Sequence, residues 1–143
     1  MKYLVKNPIL LNQFMEQGFD LAAGASVLFL GLVRNHSEGR SVLYLEYEAY
    51  ESMAEQMMED LIQEAYSLRA IEKIKILHRL GRVELGGIAV AIEVQSVHRE
   101  EAYQVSRFLI EEMKHKVPIW KKEYFSDSTS KWSRCEAVIS DPC

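Results

Sequence analysis

The 143-residue sequence contains little of what marks a specialised class of protein. It has two cysteines, three prolines and seven glycines, and no internal repeat or low-complexity tract. The two cysteines, Cys135 and Cys143, cannot form a disulfide framework, and their spacing matches no zinc motif. With 48% hydrophobic and 27% charged residues, the composition is that of an ordinary globular protein. We therefore expect one domain covering residues 1–143.

Long apolar runs are also missing. The most apolar stretches, residues 27–33 and 88–94, are too short to cross a bilayer and are typical of buried strands. Residues 1–6 carry no long apolar stretch behind a basic start and do not resemble a secretory signal. These absences predict a protein that does not enter a membrane and that works in the cytoplasm.

Positive charge is scarce overall but locally concentrated. A net charge of −4 and a pI of about 5.6 argue against a nucleic-acid binder held by diffuse positive charge. Residues 114–122 nevertheless contain four lysines, one histidine and no acid. Such a cluster serves either an anionic ligand or only the C-terminal end of a helix, whose dipole favours cations. Charge alone leaves both interpretations open.

Hydrophobic periodicity predicts an α+β fold. Strands are expected near residues 3–5, 26–34, 42–50, 74–78, 88–97 and 134–139, and helices over residues 8–15, 52–66 and 99–116. Residues 35–40 are polar and contain glycine, which predicts a mobile loop. Pro118 ends the last helix. Because strands and helices do not alternate in regular βαβ units, α+β is favoured over a parallel α/β sheet.

Two strand ends carry groups suited to an anion. Arg34 ends an apolar strand, and its guanidinium offers a planar fork of donors for phosphate or carboxylate. His98 and Arg99 join a strand to the long helix, where backbone N–H groups and the positive helix end also attract anions. The alternatives are a plain surface charge at Arg34 and, at the junction, a capping histidine beside a solvated arginine.

The two lysines around Pro118 are a further candidate for chemistry. Lys114 and Lys121 flank a rigid segment that would direct both into one pocket from its two sides. Crowding by other cations lowers the pKa of a lysine. A neutral amine acts as a base or nucleophile, whereas a charged amine binds phosphate or an oxyanion. A positive patch without chemistry is the alternative, and Glu123 could orient either amine.

No metal or cofactor site is expected. The four histidines are scattered, and no His, Cys or carboxylate cluster has ligand spacing. His78 shares a strand face with Ile74 and Ile76, which indicates a core or pocket-wall residue more than a catalytic one. The sequence also contains no P-loop, GxGxxG or GxSxG motif.

Five stretches resemble the large, catalytic subunit of molybdopterin synthase. They occur in the family's order between Ser26 and Trp132, and the segment around Pro118 is the most specific. The stretches are Gly31-Leu32-Val33-Arg34-Asn35, Leu45-Glu46-Tyr47-Glu48-Ala49-Tyr50 with Met53-Ala54, His78-Arg79-Leu80-Gly81, Ser96-Val97-His98-Arg99, and Lys114-His115-Lys116-Val117-Pro118-Ile119-Trp120-Lys121-Lys122-Glu123.

This resemblance implies an α/β-hammerhead fold with additional antiparallel strands, and a sulfurtransferase of molybdenum cofactor biosynthesis. The implied reaction moves two sulfur atoms onto cyclic pyranopterin monophosphate, giving molybdopterin. The implied donor is a small ubiquitin-like subunit whose C-terminal Gly-Gly carries a thiocarboxylate into the pocket. The implied assembly is a homodimer of large subunits with a small subunit at each end, which makes a heterotetramer.

The resemblance also assigns residues by position. Lys114 and Lys121 match two essential lysines; Arg34, His98 and Arg99 match anion-binding residues; Lys122 and Glu123 belong to the pocket segment. Leu32 falls where some members carry a basic residue, so no charged contact is expected there. We expect Lys121 to transfer the proton and Lys114 to hold the anion, with the reverse division left open. Because the partner delivers the sulfur, Cys135 and Cys143 are not required.

Two other classes of function compete with the enzyme. One is a non-catalytic module that docks a ubiquitin-like protein through a basic groove. The other is a regulatory domain that binds a small phosphorylated molecule. A docking surface needs only positive charge, so arginine would serve at both lysine positions, whereas amine chemistry needs lysine itself.

Overall fold

A computed structural model describes residues 1–134 of the chain. The elements, in chain order, are β1 (Leu4–Val5), α1 (Leu11–Phe14), β2 (Ala25–Leu32), β3 (His36–Ser37), β4 (Arg40–Ala49), α2 (Glu51–Leu68), β5 (Lys73–Arg79), β6 (Gly81–Glu84), β7 (Ile88–Ser96), α3 (Arg99–Lys116), β8 (Ile119–Phe125) and β9 (Ser130–Arg134). None of the helices within residues 1–134 combines the length and apolar character that a membrane span requires.

The first sheet contains four strands in the order β1-β5-β7-β2. The central strand, β7, pairs antiparallel with both β5 and β2, whereas β1 joins β5 in parallel. From Ala89 to Ser96 every residue of β7 is buried, because α3 packs on one face of the sheet and the N-terminal segment around Phe14 packs on the other. This two-sided burial explains why residues 88–92 of the strand are all apolar.

The second sheet is built around β4. This strand pairs antiparallel with β8, β6 and the short β3, and β9 continues the sheet beyond β8. Along β8 the side chains alternate strictly between buried and half-buried positions, as expected for a strand with only one covered face. Ile119, Lys121, Glu123 and Phe125 point inward, so this strand carries charged groups to the inside of the protein.

Most of the predicted elements are confirmed. The helix α3 covers residues 99–116 as expected, and its stripe of Ala102, Val105, Leu109 and Met113 is buried. The strands β1, β2, β4, β5 and β7 lie within one or two residues of the predicted ranges. The α+β prediction is therefore correct for the described residues, because the two sheets are largely antiparallel and the helices occur between their strands without a βαβ repeat.

The prediction of a mobile loop at residues 35–40 was wrong. These residues form a hairpin in which Ser37 pairs with Arg40 across the two-residue turn Glu38-Gly39. Both turn residues have positive φ, 51° and 75°, which is the geometry of a type I′ turn and explains the glycine. The hairpin holds the start of β4 beside the end of β2.

Other predictions were wrong in detail. The expected helix over residues 8–15 is the single turn α1. The two-residue period of β4 predicted Leu43 on the same face as Leu45 and Tyr47. An irregular register between Val42 and Tyr44 instead buries Val42 and leaves Leu43 exposed. In α2, the apolar period predicted Met53, Ala54 and Met58 on one buried stripe; Ala54 and Met58 are buried there, but Met53 is exposed. The strands β6, β8 and β9 were not predicted, and all but Arg134 of the expected strand at 134–139 lies outside the described residues.

The central strand provides a test of the core. Ile92 is fully buried in β7, so we expect Ile92→Ala to lower the free energy of unfolding by about 3 kcal/mol, from lost apolar burial and the cavity that remains. Leu43→Ala is the matched control, because Leu43 is 51% exposed and should cost less than about 1 kcal/mol. Urea unfolding of both variants measures the difference, and equal losses would contradict the assignment of β7 to the core.

Candidate active site

A pocket of about 170 Å³ opens where the C-terminal end of α3 meets β8 and the two sheets approach each other. Strands of both sheets and the segment between β2 and β4 supply its walls. The lining residues are Phe29, Gly31, Leu32, Arg34, His36, Val42, Leu45, Tyr47, His78, Ala89, Val90, Lys114, Lys121 and Glu123. Five of these carry basic groups and one carries a carboxylate, so the pocket suits an anion.

Lys114 and Lys121 enter this pocket from two different elements. Lys114 belongs to the last turn of α3, which ends at Lys116 because Pro118 cannot continue a helix. The chain then turns directly into β8, where Tyr47 of β4 pairs with Lys121. The alternation of β8 points Lys121 inward, and the residue is only 8% exposed. The end of α3 before Pro118 and the alternation of side chains along β8 together bring the two amines into one pocket.

The environment of Lys114 favours the neutral amine. Burial is the larger cause and the positive charge of Lys121 is the second, and together they lower the pKa of Lys114 from 10.5 to about 8. Both causes act by penalising the ammonium form. A lysine with such a pKa holds a proton at neutral pH but gives it up readily, which is what acid–base chemistry in this range requires.

Two buried rings form the pocket wall next to Lys114. Tyr47 and His78 pack edge to face, with ring centroids 5.1 Å apart and an angle of 74°. Burial, together with the charge of Glu123, raises the pKa of Tyr47, so its hydroxyl keeps the proton. Burial is the main cause that lowers the pKa of His78 to about 4, so the imidazole is neutral at physiological pH.

Basic groups also line the mouth of the pocket. Arg34 lies two residues beyond β2, and His36 begins β3; both are exposed residues that line the pocket. Gly31 forms part of the wall, where an added Cβ would come within 2.6 Å of Val90. Glycine therefore permits the close approach of β2 to β7 at this point.

The structure separates the remaining predicted site residues from this pocket. Lys122 lies on the outer face of β8, above the rings of Tyr124 and Trp132 at 5.0 and 5.5 Å. His98 and Arg99 are exposed at the N-terminal end of α3, about 22 Å from Lys114 along the helix axis. Within one chain, only Arg34, Lys114, Lys121 and Glu123 of the predicted set share the pocket.

Sequence reasoning missed two of the polar lining residues, His36 and Tyr47. The first lies in the segment that was expected to be a mobile loop, although Glu38-Gly39 was a usable hairpin signal. The second was assigned only to a strand face, and nothing in its spacing distinguishes a pocket wall from a core position. No group of His, Cys, Asp or Glu within residues 1–134 is arranged to hold a metal ion.

Comparison with known proteins assigns the family. The model of the family described as MoaE protein matches residues 4–116, well over half of the chain. The chain belongs to the MoaE protein family. A molybdopterin synthase catalytic subunit from Halalkalibacterium halodurans is 41% identical to this MoaE family member over 124 residues, which is 87% of this chain and 80% of that protein.

Solved structures of similar proteins have the same fold. Molybdopterin synthase from Staphylococcus aureus superposes with a TM-score of 0.84 at 39% identity, over 92% of this chain and 96% of that chain. A Helicobacter pylori chain, solved as a protein–protein complex of subunits 1 and 2 of molybdopterin-converting factor, superposes with a TM-score of 0.73 over 98% of this chain and 92% of that chain. At 23% identity, the second likeness establishes the fold alone.

Removing the charge at Lys121 should change the acid–base behaviour of Lys114. We expect Lys121→Met to raise the pKa of Lys114 above about 8 and to leave it below 10.5, because the larger cause, burial, remains. The neutral fraction of Lys114 at pH 7.5 therefore falls. The chemical shift of its ε-carbon, followed with pH by NMR, measures this.

Lys116→Met is the matched control for that titration. Lys116 is two residues from Lys114 in the same helix, but it is exposed and pairs with Glu112 at 2.8 Å. Its removal should leave the pKa of Lys114 where it was. A pKa of Lys114 that responds equally to both substitutions would contradict the assigned role of Lys121.

Proposed function

We propose that this MoaE family member is the catalytic subunit of a molybdopterin synthase, a sulfurtransferase of molybdenum cofactor biosynthesis that works in the cytoplasm. In this proposal residues 1–143 form one synthase domain. The substrate is cyclic pyranopterin monophosphate, and two sulfur transfers convert it to molybdopterin. The observation that carries the proposal is the convergence of Lys114 and Lys121 in one pocket of basic character, in a chain 41% identical to a molybdopterin synthase catalytic subunit.

The pocket provides the groups that this substrate requires. A phosphate needs guanidinium and ammonium donors, and Arg34 at the mouth and the two lysines inside are such groups. The sulfur donor in this proposal is the C-terminal thiocarboxylate of a small ubiquitin-like subunit. A Gly-Gly tail suits a pocket of about 170 Å³, because a chain without side chains passes a narrow opening at little steric cost.

The two lysines divide the work of sulfur transfer. The thiocarboxylate sulfur forms a bond to a carbon of the pterin side chain, from which an oxygen leaves, and water then cleaves the bond between this sulfur and the carbonyl carbon of the tail, which ends as a carboxylate. These steps require proton transfer and stabilisation of developing negative charge. With a pKa of about 8, Lys114 suits proton transfer, and the buried Lys121 then holds the anion. This division reverses the one expected from the sequence. Glu123 faces the same pocket, where its carboxylate limits the net positive charge around the amines.

A homodimer accounts for His98 and Arg99, which lie far from Lys114 in one chain. Strand β2 is at the edge of its sheet, with no strand partner on its other side within residues 1–134. Its exposed Leu28 and Leu32 suit pairing with a second copy. An isologous antiparallel β2–β2 contact exchanges the two strand ends. Ala25 pairs with Ser96, next to His98, so this contact brings His98 and Arg99 of one copy to Arg34 of the other.

Substitution of each lysine by arginine tests the enzyme directly. In single-turnover conversion of cyclic pyranopterin monophosphate with a thiocarboxylated small subunit, we expect Lys114→Arg and Lys121→Arg each to lower the rate by at least about 100-fold. Arginine keeps the charge but does not give up its proton at neutral pH. The control, Lys116→Arg, changes an exposed lysine of the same helix and should react like wild type.

The same assay distinguishes the competing functions. Product from wild type with near-normal rates in both arginine variants would reduce the lysines to a positive patch. Small-subunit binding without any product from wild type would leave a docking module. Binding of the phosphorylated pterin without any response to the sulfur donor would indicate a regulatory domain.

Mixing two inactive variants tests the shared site. We expect Lys114→Ala and Arg99→Ala to be inactive alone. If each site combines Lys114 of one copy with Arg99 of the other, random mixing restores about a quarter of wild-type activity, since half of the dimers are mixed and each has one intact site. Sites confined to one chain give no recovery on mixing.

A further inference from the structure

A buried histidine shares the surroundings of Lys114 and has no part yet in the proposed reaction. His78 is 7% exposed and lines the active-site pocket together with Lys114. The same two residues also line a second, much smaller cavity of about 10 Å³. The other lining residues of that cavity are apolar: Val90, Ile110, Met113, Val117 and Ile119. His78 is thus the polar neighbour of Lys114 in an otherwise apolar enclosure.

The orientation of the His78 ring is fixed from two sides. Its Nδ1 lies 2.9 Å from the carbonyl oxygen of Arg79, and because a carbonyl oxygen only accepts, Nδ1 donates the proton. The ring of Tyr47 packs against it edge to face. In a neutral imidazole with its proton on Nδ1, the other nitrogen, Nε2, carries a lone pair.

The charge state of His78 is equally constrained. Burial is the main cause that lowers its pKa to about 4, and the charge of Lys114 lowers it further, against the smaller raising effect of the bond to Arg79. At neutral pH the imidazole therefore holds no second proton and does not act as the acid or base of the reaction. What remains is an uncharged hydrogen-bond acceptor beside an amine.

We propose that His78 is a positioning residue for Lys114: its bond to Arg79 directs the Nε2 lone pair into the enclosure shared with the amine, where it orients the protonated amine. This inference rests on the proposed role of Lys114 in proton transfer. An acceptor beside an ammonium group in an apolar enclosure favours the charged form. His78 thus opposes the effects of burial and of Lys121 on the pKa of Lys114 and keeps that pKa close to the neutral range in which the amine can both hold and release a proton.

Other groups around the pocket act on Lys114 in known directions. The cations disfavour its ammonium form, Glu123 favours it, and the Tyr47 hydroxyl is uncharged because burial raises its pKa. Among the buried groups that line the pocket, His78 alone offers an uncharged nitrogen acceptor. The titratable groups that line the pocket are Lys121 and Glu123 from β8, Arg34 and His36 from the segment after β2, Tyr47 from β4 and His78 from β5.

Two conservative variants separate the two ring nitrogens. In His78→Asn, the side-chain amide can replace Nδ1 as the donor to the Arg79 carbonyl, but no acceptor remains at the position of Nε2. In His78→Gln, the amide reaches the position of Nε2, but the hydrogen bond to Arg79 is lost. We expect His78→Asn to lower the pKa of Lys114 by about one pH unit and His78→Gln to leave it close to wild type. The ε-carbon shift of Lys114, assigned with Lys114→Arg, reports the pKa without any need for turnover.

The outcomes separate this proposal from the function on which it rests. A lowered pKa in His78→Asn alone supports positioning through Nε2. An unchanged pKa in His78→Asn, or an equal fall in both variants, overturns it in favour of simple packing. In wild type, ¹⁵N NMR should find the proton on Nδ1, and a proton on Nε2 overturns the proposal even if the variants fail to fold. If wild type proves inactive, the synthase proposal fails while these comparisons still decide the role of His78.

With active enzyme, the rate–pH profile adds an independent readout. The neutral form of Lys114 accepts the proton in the proposed reaction, so the acid limb of the single-turnover profile follows its pKa. We expect this limb to move to lower pH by about one unit in His78→Asn and to stay in place in His78→Gln. A purely structural defect would lower the rate at every pH without moving the limb.

Discussion

The cost of holding two ammonium groups together away from water is the constraint on which this structure depends. Lys114 and Lys121 line the same pocket, where burial and the positive charge of Lys121 both disfavour the charged form of Lys114. Such an arrangement persists only when rigid elements of the fold prevent the side chains from turning away from each other. Here one lysine is fixed by the last turn of a helix and the other by the inward face of a strand.

The rest of the fold supplies that rigidity. Helix α3 is anchored by a continuous buried stripe against the four-stranded sheet, and β8 is held between β4 and β9. Val117 and Pro118, which connect the two elements, are themselves buried. The two amines are therefore held in place before the substrate binds, and a bound anion reduces the repulsion between them. Binding energy from the substrate charge then contributes where the reaction needs it.

The sequence predicts the framework better than the site, for physical reasons. The apolar strands and α3 were predictable because their burial leaves a clear period in the hydrophobic residues. Strand β8 was not, because its inward positions include Lys121 and Glu123. Charged residues at buried positions hide the two-residue period that would have revealed a strand. The functional role of this segment is thus the reason that its structure was missed.

Other residues depend on contacts between distant parts of the chain. Tyr47 and His78 come from different sheets, and only the packed structure brings their rings within 5.1 Å. His98 and Arg99 were predicted with the lysines, yet they lie at the opposite end of the same helix. Spacing along a chain does not show whether two motifs belong to one site or to sites in neighbouring copies.

The length of α3 has an evolutionary consequence. One residue inserted between Arg99 and Lys114 would turn the lysine by about 100° and advance it by about 1.5 Å, which removes it from the pocket. The helix cannot shift along its axis to compensate, because its buried stripe fixes it against the sheet. In addition, β8 begins only three residues after the end of α3. Insertions and deletions in this lineage are therefore expected to accumulate in exposed connections such as residues 15–24, and to be eliminated by selection between residues 99 and 121.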